Sequence, residues 1–179
     1  MRTIKQSDLE LISCLHDLVF NNVDIKNILE EAFKDTYKLF NDKEYALPYA
    51  SINISIDVFN KFLPEKFIGL VKLCRVFILK KGNRYPSYEN HRNSIQRLVS
   101  YEGKGTIYSK KNNQDTEFEA YPIISPVYGL KTDIINHWNI VPKNIWHYPK
   151  AGSAEDWLTV TFHSVTSNDI IDEYSESNS

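Results

Sequence analysis

Residues 133–152 read DIINHWNIVPKNIWHYPKAG, and this stretch decides the fold class. Its first part, Asp133–Val141, is apolar and β-branched, the composition of a strand on a half-buried pleated surface. Val141-Pro142-Lys143-Asn144 carries turn chemistry. Trp146-His147-Tyr148-Pro149 then opens a second strand with a histidine in it. A tight turn followed by one β step aims His147 back toward the interior, across about 10 Å of core if two sheets pack face to face.

The same character extends to both sides. Strands are predicted at Lys72–Leu79, Ser94–Tyr101, Gly103–Tyr108, Glu117–Tyr121, Asp133–Val141 and Trp157–Val165, separated by the turn signals EGKG, KKNNQD, SPVYG, VPKN and PKAGS. Short strands with turns at this spacing predict an antiparallel sandwich or barrel. Upstream the period changes. Leu9, Ile12, Leu15 and Val19 recur at helical spacing, and Ser7 with Glu10 forms a capping-box pattern. Asp24–Asn41 repeats the stripe with Ile25, Ile28, Leu29, Phe33, Tyr37 and Phe40. A short third helix is predicted at Ser55–Phe62 or at Pro64–Leu70. The expected layout is one domain over 1–179, with a helical layer at 1–70, an all-β body at 71–166 and a frayed polar tail at 167–179. The helices need a partner for their apolar stripe, and one face of the sheet supplies it.

The totals narrow the function. Among 179 residues, 21 are basic and 23 acidic, so no basic excess marks a nucleic-acid surface. No apolar run approaches the roughly 20 residues of a membrane span. The start, MRTIKQSDLELIS, lacks the apolar core of a secretory signal. The two cysteines, Cys14 and Cys74, lie in apolar patterns and read as buried free thiols of a reducing, cytoplasmic compartment. Phosphate-cradling glycine loops, CxxC pairs and a GxSxG elbow are all missing, which argues against nucleotide-dependent and serine-hydrolase chemistry.

A second polar constellation lies in residues 88–109, YENHRNSIQRLVSYEGKGTIYS. Glu89 and His91 are two apart and share one side of an extended strand. Gln96 follows past the turn RNS and returns to that side. All three are metal-ligand types, neutral Gln being the poorest.

These two segments resemble the two motifs of the cupins. The first cupin motif is HxH, an acidic residue four or five positions on, and a strand ending at a glycine. His91 precedes Gly103 by twelve residues, the spacing of the second motif histidine. Glu89 stands where the first histidine is usual and Gln96 near the acidic position, so two of three places depart from the pattern. VPKNIWHYP resembles the second motif, and His147 follows His91 by 56 residues. The resemblance spans about Leu73–Val165. It implies an antiparallel jelly-roll β-barrel with a divalent metal on Glu89, His91, Gln96 and His147. Fe(II) is favoured, with Zn, Mn and Ni as alternatives.

Trp157–Val165, WLTVTFHSV, alternates cleanly: Leu158, Val160 and Phe162 on one face, Thr159, Thr161 and His163 on the other. Either face is free to point inward. Thr161-Phe162-His163 is similar to the Ser-x-His of the thiol dioxygenase branch, although Val165 replaces its tyrosine. This makes His163 the catalytic acid/base candidate behind the metal. Arg75 and Arg97 are candidates for an acidic substrate group, an internal salt bridge being the simpler reading of Arg75. Tyr88, Tyr101, Trp146 and Tyr148, with Tyr85, are candidates for an aromatic substrate pocket. His137 reads as a sheet cap. The favoured function is a metal-dependent, Fe(II) dioxygenase-like oxidoreductase on a small molecule. A sugar isomerase or epimerase and a non-catalytic small-molecule-binding protein are the alternatives. No nucleic-acid or membrane partner is expected, and a homodimer stays open.

Overall fold

A computed structural model describes residues 5–111, 117–128 and 133–176. Parts of the predicted turns KKNNQD and SPVYG fall outside these residues. Two helices lead the chain, α1 at Gln6–Asn21 and α2 at Val23–Leu39. Asn22 caps α2 by accepting a 3.1 Å hydrogen bond from the backbone N–H of Ile25. The predicted capping box at Ser7 does not form: α1 starts two residues earlier than that cap requires, and its cap, Lys5, makes no side-chain hydrogen bond. Both predicted short helices exist in reduced form, α3 at Asp57–Asn60 and a 3-10 turn at Glu65–Phe67.

The strands are β1 (Tyr49–Ile54), β2 (Leu73–Leu79), β3 (Ser87–His91), β4 (Gln96–Glu102), β5 (Lys104–Lys110), β6 (Glu119–Ile124), β7 (Trp138–Val141), β8 (Trp146–Ala151), β9 (Trp157–His163) and β10 (Asp172–Glu176). Three of them depart from the expected layout. β1 lies inside the stretch read as helical. Ile134–Asn136, read as strand, is a 3-10 turn before β7. β10 lies in the stretch read as a frayed tail and pairs antiparallel with β3.

All pairings are antiparallel, in two five-stranded sheets of order β1-β2-β9-β4-β7 and β10-β3-β8-β5-β6. Sequence neighbours such as β2 and β3, or β3 and β4, lie in opposite sheets. That crossing pattern is the jelly roll. The turn after β7 is fixed by Asn144, which takes φ 61°, a left-handed value asparagine tolerates. Its N–H donates to the carbonyl of His91 at 3.0 Å, so the turn hangs on β3.

The first sheet has two apolar faces. Cys74, Val76, Ile78, Val99, Leu158, Val160 and Phe162 point outward and pack on Leu11, Leu15, Ile25, Leu29 and Phe33 of the helices. Leu79, Leu98, Val141 and Trp157 point inward and meet Ile107, Ile123 and Ala151 of the second sheet. Arg97 belongs to the helix-facing layer, where its Nη2 lies 2.7 Å from Asp8 Oδ1 on α1. Both cysteines are free, and burial pushes the Cys74 thiol well up.

Trp157 is fully buried, and its indole N–H donates to Ser100 Oγ at 2.9 Å. Its ring lies over Gly105, where an added Cβ would fall 2.2 Å from Trp157 Cε3. Gly105→Ala is therefore expected to lower stability by about 1–3 kcal/mol or more, the usual effect of overpacking a filled core. Urea denaturation midpoints check this, and a variant as stable as the parent would show that the indole moves freely.

Candidate metal centre

Two strand registers build the centre. In the second sheet Asp172 pairs with His91, and Glu89 pairs with Tyr174 on one side and His147 on the other. Side chains of one register row share a face, so β10, β3 and β8 lay Tyr174, Glu89 and His147 side by side, with Asp172 and His91 next to them. In the first sheet Gln96 of β4 pairs with His163 of β9.

Glu89, His91 and His147 each offer a ligand atom, and these atoms lie within 4.8 Å of one another. Glu89 Oε2 is 3.8 Å from both His91 Nε2 and His147 Nε2. Two ligands on one ion at about 2.0–2.2 Å stand roughly 3–4 Å apart. The spacing thus fits a shared cation after a small closure. The histidine side chains are each 2% exposed and Glu89 is 16% exposed.

Hydrogen bonds orient the rings. His91 Nδ1 lies 2.6 Å from Asp172 Oδ1, which assigns the N–H to Nδ1 and leaves the Nε2 lone pair facing the centre. His147 Nδ1 lies 3.1 Å from the carbonyl of Ile145, which assigns that ring the same way. His91 Nε2, Gln96 Oε1 and His163 Nε2 are buried with no hydrogen-bond partner among the described residues. Buried polar atoms are normally satisfied, so three converging orphans fit a site built for a bound group. A cation held by Glu89, His91 and His147 would supply the missing partner of His91 Nε2.

The electrostatics agree. Burial raises the Glu89 carboxyl above its ordinary range, with His91 pulling the other way. Burial also works against ionisation of Asp172, but its hydrogen bond with His91 outweighs this and holds the carboxyl below the ordinary range. Tyr174 Oη lies 3.4 Å from both Glu89 Oε1 and Asp172 Oδ2, bridging the two carboxylates. Burial, then the neighbouring His91, Arg75 and His147, push His163 well below the usual histidine value. His163 is therefore a neutral imidazole at pH 7 and a weaker base than an exposed histidine.

A cavity of about 90 Å³ adjoins the centre, lined by Arg75, Glu89, Gln96, Leu98, His147 and Thr161. Thr159, Thr161 and His163 are buried on the face of β9 opposite Leu158, Val160 and Phe162, so the polar face is the inner one. His163 stacks edge-on against His91, centroids 4.9 Å apart.

Of the candidate substrate residues, Arg75 and Tyr85 line this cavity and the others lie elsewhere. Arg97 is held by Asp8 beneath α1. Tyr101 stacks between Phe20 and Phe33 of the helices. Tyr88 and Tyr148 flank Glu89 and His147 along their strands and so point to the outer face, where they cluster with Phe118 and Tyr108. Trp146, adjacent to His147, takes that face too. The aromatic wall is Tyr85 together with Tyr49 and Phe77, which were not among the candidates. The salt bridge expected for Arg75 is not formed: its Nε donates to Asn53 Oδ1 at 2.9 Å. His137 does cap, its Nδ1 lying 2.7 Å from the carbonyl of Ile124. Asp172 and Tyr174 were beyond sequence reasoning, since DEYSE shows no apolar alternation; the only signal is two polar residues two apart, as in Glu89 and His91.

No family model matches this sequence, and no curated protein matches it. Solved structures do match. An oxalate oxidase in complex with the substrate analogue glycolate superposes with a TM-score of 0.51 at 8% identity, over 73% of this chain and 57% of that one. The chain has the cupin fold. A cupin-like protein of Thermotoga maritima matches with a TM-score of 0.46 and 13% identity, over 73% of this chain and 78% of that one. CapF with an inhibitor matches with a TM-score of 0.48 and 19% identity, over 59% of this chain and 28% of that one. This chain thus spans little more than half of the oxalate oxidase and under a third of CapF. Among the described residues no helix is long and apolar enough to cross a membrane.

Asp172→Asn is expected to lower stability at pH 7 by about 1.5–3 kcal/mol, the worth of a hydrogen bond to a charged group. The folded-state pKa lies below the unfolded value of about 3.9, so the carboxylate's contribution is complete above about pH 5 and is lost as pH falls through the folded value. Urea midpoints of both proteins across this range test it. A gap that stays constant as pH falls far into the acid range would show that the charge is not what matters.

Proposed function

We infer that this chain is a metal-dependent cupin enzyme, an oxidoreductase of the non-haem Fe(II) dioxygenase type acting on a small molecule in the cytoplasm. The observation that carries it is the buried Glu89–His91–His147 set beside a cavity. Two histidines and a carboxylate on one face are the donor set of non-haem Fe(II) oxygenases, which leave coordination positions open. Gln96 Oε1 offers a further neutral oxygen on the same cavity. A bound divalent ion would act there as Lewis acid and template, and Fe(II) would add redox chemistry.

The chain's own residues do the rest. Asp172 holds His91 in the tautomer that presents Nε2. Tyr174 fixes Glu89 through its Oε1, leaving Oε2 toward the histidines. His163, buried edge-on against His91 and in register with Gln96, is the acid/base candidate of this reading. Leu98, Phe77 and Ile107 supply apolar lining to the cavity.

Metal analysis tests this reading. About one Fe(II) per chain is expected after anaerobic loading, with oxygen uptake when substrate is supplied. His91→Ala and His147→Ala should each weaken binding by more than the 10–100-fold that a supporting residue typically costs. Unchanged metal content in both variants would sink the site. Tight zinc or manganese with no oxygen uptake on any substrate would sink the oxidoreductase assignment and leave the isomerase reading.

A further inference from the structure

The cavity beside the metal centre contains one cation, and its bonding is incomplete. Arg75 projects from the inner face of β2, two residues from Phe77 and in register with Asn53 of β1 and Thr161 of β9. A guanidinium has five N–H donors. Among the described residues Arg75 uses one of them, Nε, on Asn53. It makes no salt bridge there; Glu89, the acidic residue sharing its cavity, lies beyond ion-pair distance. The Nε bond fixes the plane of the fork, and both Nη groups are left with donors to give. A half-buried arginine so arranged is prepared for a planar, bidentate acceptor.

The rest of the cavity limits what that acceptor belongs to. Tyr49, Phe77 and Tyr85 form a continuous aromatic wall, with Tyr49 4.5 Å from Tyr85 and 6.0 Å from Phe77 between ring centroids. Burial raises the Tyr85 hydroxyl, so this wall stays neutral. Glu89 and His147 of the metal centre line the same cavity. A volume of about 90 Å³ admits a molecule of only a few heavy atoms. One arginine balances one negative charge, and the Glu89 carboxylate disfavours a second negative group beside it before metal binds.

We propose that the substrate is a small organic monocarboxylate whose carboxylate is held by Arg75 and whose short carbon chain lies on the Tyr49–Phe77–Tyr85 wall, reaching toward Glu89 and His147. This deepens the metalloenzyme reading above and rests on it for the reactive end of the molecule. The carboxylate end depends on Arg75 alone, and the two are separable by experiment.

Binding of acetate, lactate and pyruvate, each compared with its neutral amide, is measured on the full chain by calorimetry, and by relaxation of ligand protons after loading with Mn(II). The carboxylates should bind, and the amides should bind at least about tenfold more weakly, as a charge-assisted pair implies. Arg75→Gln should lose carboxylate binding by at least about tenfold while its Mn(II) affinity stays within about threefold of the parent. Arg75→Lys, which keeps the charge and loses the fork, should fall between them, and thermal midpoints of both variants confirm folding. Equal binding of acids and amides, no binding of either, or carboxylate binding unchanged in Arg75→Gln each overturns the proposal while leaving the metal reading standing. Arg75-dependent carboxylate binding in a protein that takes up no metal overturns the metal reading and upholds the carboxylate site.

Discussion

The constraint on which this structure depends is the orientation of β9. Leu158, Val160 and Phe162 are claimed by the helices, so Thr159, Thr161 and His163 must turn inward. A strand has two faces and the side-chain period is two, so one choice fixes all seven residues. With β9 set, its partners follow. β2 turns Arg75 and Phe77 into the interior, and β4 turns Gln96 and Leu98 there. The interior of the jelly roll is then apolar at one end, around Trp157, and polar at the other.

That polar end is expensive to bury, and the fold meets the expense with pairing. Asp172 satisfies one nitrogen of His91, the Ile145 carbonyl one of His147, and Asn53 one donor of Arg75. Among the described residues His91 Nε2, Gln96 Oε1 and His163 Nε2 are buried without a partner in this part of the fold, while Asn60 Oδ1, Asn90 Oδ1 and two nitrogens of Arg97 are so elsewhere. The three that lie at the polar end of the interior are the ones a bound group there could satisfy. The division within each side chain, one atom satisfied and the other left open, is what preorganises a centre.

Much of this was legible from particular residues. Glu89 and His91, two apart, had to share a face, and VPKN had to turn the chain so that His147 came back inside. The helical stripes of α1 and α2 were plain from their period. The substrate candidates fared worse, partly for a reason the sequence contained. Tyr88 is next to Glu89, and Trp146 and Tyr148 are next to His147, so alternation alone turns all three away from the centre. Asp172 and Tyr174 were not legible, because β10 joins β3 through backbone hydrogen bonds that leave no apolar pattern to read.

The sequence by itself therefore determined the two leading helices, most of the central strands, the turn that carries His147 and the ligand types at 89, 91 and 147. These are local matters, governed by side-chain period and turn chemistry. Only the tertiary structure decided which face of β9 is inside, that Arg75 points into the cavity without an acidic partner, and that the last strand returns to support His91. In β2 both faces are mostly apolar, Leu73, Phe77 and Leu79 against Cys74, Val76 and Ile78, so its pattern is silent on orientation. The answer came from elements distant in sequence, the helices on one side and the second sheet on the other, competing for the two faces of the same strands.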